Sequence, residues 1–220
     1  MKNNIILFDL DGTLIDSTDA IYYSFCAAFK HFSKIPPTLD ELKGHIGHTL
    51  EDIFSALGVE ESRIQDYISV YKANYREVCE AKTTLLSGAK EAVQKASEFA
   101  YLGVVTTKTS EYSKILLKQL GVLESFSCII GRDDVIKPKP DAEPILKALD
   151  EIFKSQNLSD FPKNKIFMIG DTPLDIKAAN AARIQSIGVL CGYAPLEILQ
   201  NHTQNIAKDT LEAVNKISNS

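Results

Sequence analysis

Short apolar runs alternate with amphipathic stretches along the chain. Residues 4–8 (Asn-Ile-Ile-Leu-Phe) form an apolar run that ends in acids and a glycine. This pattern predicts a strand buried on both faces, with its C-terminal end opening into a loop. Similar runs recur at Leu102-Gly103-Val104-Val105, Cys128-Ile129-Ile130, Ile166-Phe167-Met168-Ile169 and Ser186-Ile187-Gly188-Val189. Between them the apolar residues take a helical period. Ala89, Ala92, Val93, Ala96 and Phe99 keep it, as do Ile145, Leu149 and Ile152. So do Tyr112, Ile115, Leu116 and Leu120, with Thr109 or Ser110 as the N-cap. Alternating strands and helices predict an α/β fold, a mostly parallel sheet wrapped by helices. Such sheets bind ligands outside the carboxyl ends of their strands.

One interval breaks the alternation. From Asp16 to roughly Leu85 no convincing strand is visible. Helices are expected around residues 18–32, 49–57 and 61–79, the last with Ile64, Tyr67, Ile68, Tyr71 and Tyr75 on one face. The Pro36-Pro37 pair separates the first helix from the next. The expected organisation is a core of residues 1–15 and 86–220 and a small helical domain of residues 16–85 inserted after the first strand. Both connections would lie at the active end of the sheet, where a lid is hinged.

Composition narrows the function without naming it. The 220 residues are 45% hydrophobic and 24% charged, enough to bury a core without disulfides. Net charge is −5 and no basic block occurs, which speaks against a nucleic-acid surface. Cys26, Cys79, Cys128 and Cys191 are widely spaced with no metal-binding pattern, so they read as reduced thiols. No apolar run approaches a transmembrane length, and Asp9 and Asp11 spoil a signal sequence. The expectation is a cytoplasmic protein with no membrane partner.

Four motifs carry chemistry. In Asp9-Leu10-Asp11-Gly12-Thr13, two carboxylates leave the end of a strand. Asp9 is placed to attack a phosphoryl group, and Asp11 to give a proton to the leaving oxygen and later take one from water. Gly12 allows a tight turn, and the Thr13 hydroxyl orients the loop. The second motif is Thr106-Thr107-Lys108, where a strand ends in hydroxyls before a helix that can hold phosphate oxygens. The third is Lys137-Pro138-Lys139-Pro140. Lys137 is expected to bridge nucleophile and phosphate, with Lys139 as the bystander. The fourth is Gly170-Asp171-Thr172-Pro173-Leu174-Asp175, a strand ending at one carboxylate with a second at the start of a helix. Asp175 also reads as an ordinary helix N-terminal acid.

All four sit at the carboxyl ends of different expected strands, so a parallel sheet brings them to one edge. Acids crowded there repel one another, and a hard divalent cation relieves this. Mg²⁺ suits oxygen donors plus a phosphate. The expected ligands are the Asp9 and Asp171 side chains and the Asp11 carbonyl, with Asp175 in support.

These motifs resemble the haloacid dehalogenase superfamily, specifically its phosphatases with a small helical cap, and most of all phosphoglycolate phosphatase-like members. The match runs in order through Asp9 to Thr13, Thr106, Lys137 and Asp171 to Asp175, and covers essentially the whole chain. The resemblance implies a Rossmann-like core, Mg²⁺ and hydrolysis of a small phosphorylated metabolite through an aspartyl-phosphate, by a monomer or homodimer. Asp11 argues against a dehalogenase and a phosphonatase. Thr107 stands where relatives often carry Asn, and Ala182 where they often carry Gly. Substrate contacts are expected from Thr13, Thr107, Lys108 and the cap loop Lys43-Gly44-His45-Ile46-Gly47-His48, with His45 and His48 facing the leaving group. The rivals are a phosphomutase or pyrophosphatase of the same superfamily, and a phospho-acceptor signalling domain. The long helical insert and Asp11 speak against the last.

Overall fold

In the computed structural model, which describes residues 2–219, the first strand is central. β1 (Asn4–Phe8) has parallel neighbours on both sides. Its alternation explains why every residue in it is buried. Ile6 and Phe8 enter one apolar layer, and Ile5 and Leu7 enter the other.

Two short strands follow or precede the insert: β2 (Ile15–Asp16) and β3 (Thr84–Leu85). The rest of the sheet comes from β4 (Ala100–Val105), β5 (Cys128–Ile130), β6 (Ile166–Gly170), β7 (Gln185–Val189) and β8 (Ile206–Ala207). The six-stranded sheet has the order β5-β4-β1-β6-β7-β8, and every pairing is parallel. The chain builds outward from β1 through β4 to β5, then crosses back to β6. This reversal places the crevice at the carboxyl ends of β4, β1 and β6.

Helices cover both faces. α7 (Glu143–Gln156) and α8 (Pro173–Ala182) pack Ile145, Ala148, Leu149, Ala178 and Ala179 against one side. α5 (Ala89–Phe99), α6 (Ser110–Gln119) and α10 (Thr210–Ser218) cover the other. In α6 the buried apolar positions are Tyr112, Leu116 and Leu117, while Ile115, expected on the apolar face, is exposed. The short α9 (Leu196–Leu199) precedes β8.

The insert after β1 is helical: α1 (Thr18–His31), α2 (Leu39–Lys43), α3 (Leu50–Ala56) and α4 (Ile64–Val78). Thr38 and Glu41 form a capping box on α2, and Thr49 caps α3 through the Asp52 N–H. The insert packs aromatically, with Phe25 and Phe54 rings at 4.6 Å and Phe29 and Tyr67 at 5.3 Å. Its apolar residues are continuous with the layer on the Ile6 and Phe8 face of the sheet. The interval read as strand-free does contain strand at its two ends. Ile15 pairs with Leu85 and Asp16 with Thr84, an antiparallel ribbon joining insert to core. Two residues are too short for a periodicity to register. No helix among the described residues is long and apolar enough to cross a membrane.

Candidate active site

Asp9 follows β1, and its backbone N–H donates to the Ile169 carbonyl at 2.9 Å. It therefore sits beside the end of β6, from which Asp171 emerges. Asp175 lies in the first turn of α8. It completes a capping box there, its Oδ2 accepting from the Thr172 N–H at 3.0 Å and the Thr172 hydroxyl at 2.8 Å. Carboxylate oxygens of Asp9, Asp171 and Asp175 lie within 4.8 Å of one another, and all three residues are buried.

The lysine among them is Lys139. Its ammonium donates to Asp9 Oδ1 at 2.8 Å, to Asp175 Oδ1 at 2.5 Å and to the Val105 carbonyl at 3.0 Å. Lys137, expected in this place, is exposed, and its backbone N–H donates to Glu143 Oε2 at 2.9 Å. Glu143 also takes the Ile136 N–H at 2.8 Å. The α7 N-terminus thus gathers the first Lys-Pro pair on the surface, and the turn after it sends the second lysine inward. The sequence offers two Lys-Pro pairs, and nothing in their composition tells them apart.

Burial dominates the electrostatics. It lifts the Asp9 carboxyl to about 7, with Lys139 pulling it down and Asp175 and Asp11 pushing it up. Asp171 is raised well above the usual carboxylate range by burial and then by Asp9 and Asp175. Burial by itself would lower Lys139, but Asp175 and Asp9 outweigh it and hold its ammonium charged. Three buried carboxylates face one ammonium. The donors are oxygens, and ionising all three acids would leave two negative charges uncompensated by Lys139, so the set fits a hard divalent cation.

Asp171 is held rigidly. Its Oδ1 accepts from the Thr13 hydroxyl at 2.9 Å and its Oδ2 from the Tyr193 N–H at 2.8 Å. The backbone crowds it at Gly12, which has φ +84°, and at Gly192. A Cβ would stand 2.4 Å from Asp171 Oδ2 at the first and 2.1 Å at the second. Thr13, expected at the substrate, is fully buried behind Asp171, and its carbonyl accepts from the Thr210 hydroxyl at 2.6 Å. That brace from α10 has no signal in the sequence. Neither does Tyr193, whose hydroxyl meets the Thr18 hydroxyl of α1 at 3.1 Å.

Asp11 points into the cleft between insert and core. Its Oδ1 accepts from the Ser17 hydroxyl, and its Oδ2 lies 3.2 Å from the Lys108 ammonium. Burial lowers Lys108, but Asp11 and then Tyr71 raise it further. Lys108 also stands 4.6 Å from the Tyr75 ring centroid. Thr106 is buried at the end of β4, and its hydroxyl accepts from the Lys108 N–H at 3.2 Å. The Thr107 hydroxyl donates to the Gly47 carbonyl of the insert at 2.9 Å, so it ties the two parts together. His48 lines the cleft with Gly47. His45 is half-buried outside the cleft lining, and its N–H donates to the Leu42 carbonyl at 2.9 Å.

The sequence profile of the haloacid dehalogenase-like hydrolases matches residues 6–189. The chain belongs to this family. This haloacid dehalogenase-like hydrolase is 35% identical over 190 residues to Pyrophosphatase PpaX of Anoxybacillus flavithermus, a match covering 86% of this chain and 84% of the relative. Its fold is that of a haloacid dehalogenase-like family hydrolase from Streptococcus pneumoniae, with TM-score 0.85, 24% identity and coverage of 97% of this chain and 98% of that one. It is also that of a predicted phosphoglycolate phosphatase from Haemophilus somnus, with TM-score 0.84, 22% identity and 98% of both chains covered. The helical insert after β1 sits where this family carries its cap.

Proposed function

We propose that the protein is a Mg²⁺-dependent phosphohydrolase of small phosphorylated metabolites, with residues 16–85 as its cap over a core of residues 1–15 and 86–220. The observation that carries this reading is the gathering of Asp9, Asp171, Asp175 and Lys139 at the carboxyl ends of the central strands. Asp9 and Asp171 side chains and the Asp11 carbonyl would hold Mg²⁺, with Asp175 adding charge across Lys139. The bound cation supplies positive charge to the phosphoryl oxygens.

The residues divide the work. Asp9 attacks phosphorus, the bond to the leaving oxygen breaks, and Asp11 gives that oxygen its proton. Water then attacks the aspartyl-phosphate, Asp11 takes the water proton, and the acyl–phosphate bond breaks to free Asp9 and inorganic phosphate. Lys139 favours the ionised form of Asp9 against the effect of burial and faces the transferring group as a point charge. Thr106, beside the Lys108 N–H, binds phosphate oxygens. Thr107 holds the cap loop against the core, which shields the first step from water.

Two substrate classes have support. A phosphoglycolate-like monoester follows from the motif resemblance. A diphosphate follows from the relatives named pyrophosphatase. A phosphate-release screen over a panel of esters and pyrophosphate, with and without Mg²⁺, tests the reading. Release that needs Mg²⁺ supports it. No release from any member of the panel contradicts it.

A further inference from the structure

The cleft that reaches Asp11 is also walled by Arg132 and Thr109. Arg132 opens the turn after β5, and its backbone N–H donates to the Lys108 carbonyl at 3.0 Å. That bond fixes it beside the loop carrying Thr106. Its Nη1 donates to the Val135 carbonyl at 3.1 Å, but its Nε is buried without a hydrogen-bond partner. Among the described residues it takes part in no ion pair. The acids next to it are committed elsewhere: Asp133 accepts the Ser110 N–H at 2.7 Å and Asp134 the Gly131 N–H at 2.8 Å.

Thr109 adds an independent observation. It stands at the N-cap of α6 with extended backbone angles, φ −64° and ψ 146°, yet its hydroxyl makes no cap bond. Asp133 has taken over that duty. The Thr109 Oγ1 is left buried and unpartnered on the same cleft wall as Arg132. The half-buried Arg132 thus keeps one unpaired guanidinium nitrogen and Thr109 an unpaired hydroxyl, both costly where they stand, and a rotation of either side chain toward the cleft lets a ligand complete them.

The charge of the cleft agrees. Lys108 pairs with Asp11, and Arg132 and Lys72 share the wall with Glu51 and His48. Three cationic side chains and two carboxylates line it.

We propose that Arg132 and Thr109 form a second oxyanion subsite, supported from the cap by Lys72. The inference rests on the phosphohydrolase reading. It assigns the substrate class: a small compound that carries a carboxylate or a second phosphate besides the phosphoryl group transferred to Asp9. Charge-assisted hydrogen bonds of this kind separate a substrate with the second oxyanion from one without it by roughly tenfold to a hundredfold in kcat/KM.

The test compares 2-phosphoglycolate, pyrophosphate and phenyl phosphate on the Mg²⁺-loaded protein. The wild type prefers one or both of the doubly anionic compounds over phenyl phosphate, and the arms distinguish carboxylate from phosphate. Arg132→Ala and Thr109→Val shrink that preference, Arg132→Ala by about tenfold or more, and Arg132→Lys restores part of it. The change lies mainly in KM. A preference unaltered in both Arg132→Ala and Thr109→Val overturns the subsite. So does an equal loss on all three compounds. If the wild type hydrolyses none of them, the phosphohydrolase reading fails. The subsite is then read by calorimetric binding of 2-phosphoglycolate, where unchanged affinity in Arg132→Ala overturns it and tenfold weakening sustains it.

Discussion

The Lys139 ammonium lies 2.8 Å from Asp9 Oδ1, across 130 positions of sequence, and completes a bridge to Asp175 at 2.5 Å. Lys137, two positions away, is exposed. Replacing Lys139 by Ala removes the cation facing the nucleophile and is expected to lower turnover of a generic aryl phosphate by roughly a hundredfold or more. Replacing Lys137 by Ala leaves turnover within about twofold, as for an ordinary surface position. Steady-state kinetics on the two variants, with circular dichroism to verify folding, decide between the lysines.

Gly192 lies against Asp171, where a Cβ would stand 2.1 Å from Oδ2. Gly192→Ala must therefore displace the carboxylate or the loop that donates the Tyr193 N–H to it. The Mg²⁺ concentration for half-maximal activity is expected to rise by about tenfold or more, the scale of losing support around a metal ligand. An unchanged Mg²⁺ titration would show that Asp171 is not a ligand.

The raised acids make stability depend on pH and cation together. Asp9 binds its proton up to about 7 in the folded protein, against 3.8 for an unperturbed aspartate. Through that window the native state holds protons the unfolded chain has released. Its contribution is fully present below the lower value and is lost as pH rises through the upper one. Mg²⁺ replaces the lost protons. Melting curves should show a larger Mg²⁺-induced rise in Tm at pH 8 than at pH 5. A larger rise at pH 5 would contradict the electrostatic account.

Phe54 is fully buried and packs its ring 4.6 Å from that of Phe25 and 5.6 Å from that of Tyr67. Phe54→Ala should cost about 3–5 kcal/mol of stability through the cavity it leaves. Urea unfolding measures this. A cost under about 1.5 kcal/mol, the usual limit for conservative swaps, would mean the cap relaxes around the gap.

Five of the six strands of the sheet were legible because burial on both faces leaves an apolar run, as at Ile5 to Phe8 and Ile166 to Ile169, whereas the two residues of β8 leave none. Asp9 and Asp171 were legible for the same reason, since a charge at the end of such a run stands out. Helices α1, α3 and α4 of the insert followed from spacing, above all Ile64 to Tyr75, while the five-residue α2 did not. What escaped was set by tertiary contact. The β2–β3 ribbon is two residues wide, and Thr210 braces Thr13 from 197 positions away. Thr13 turns behind Asp171 because its hydroxyl finds a buried carboxylate there. Lys137 and Lys139 differ only in which side of a turn they leave, and that is settled by Glu143 collecting the N–H groups of Ile136 and Lys137.

The nucleophile is the centre of the account, and Asp9→Asn tests it most directly. The substitution keeps the shape of the side chain and removes the attacking oxygen's charge. Phosphate release from a generic aryl phosphate in Mg²⁺ should fall to background while the circular dichroism spectrum stays that of the wild type. Near-normal release by the folded variant would contradict the assignment of Asp9, and with it the aspartyl-phosphate route.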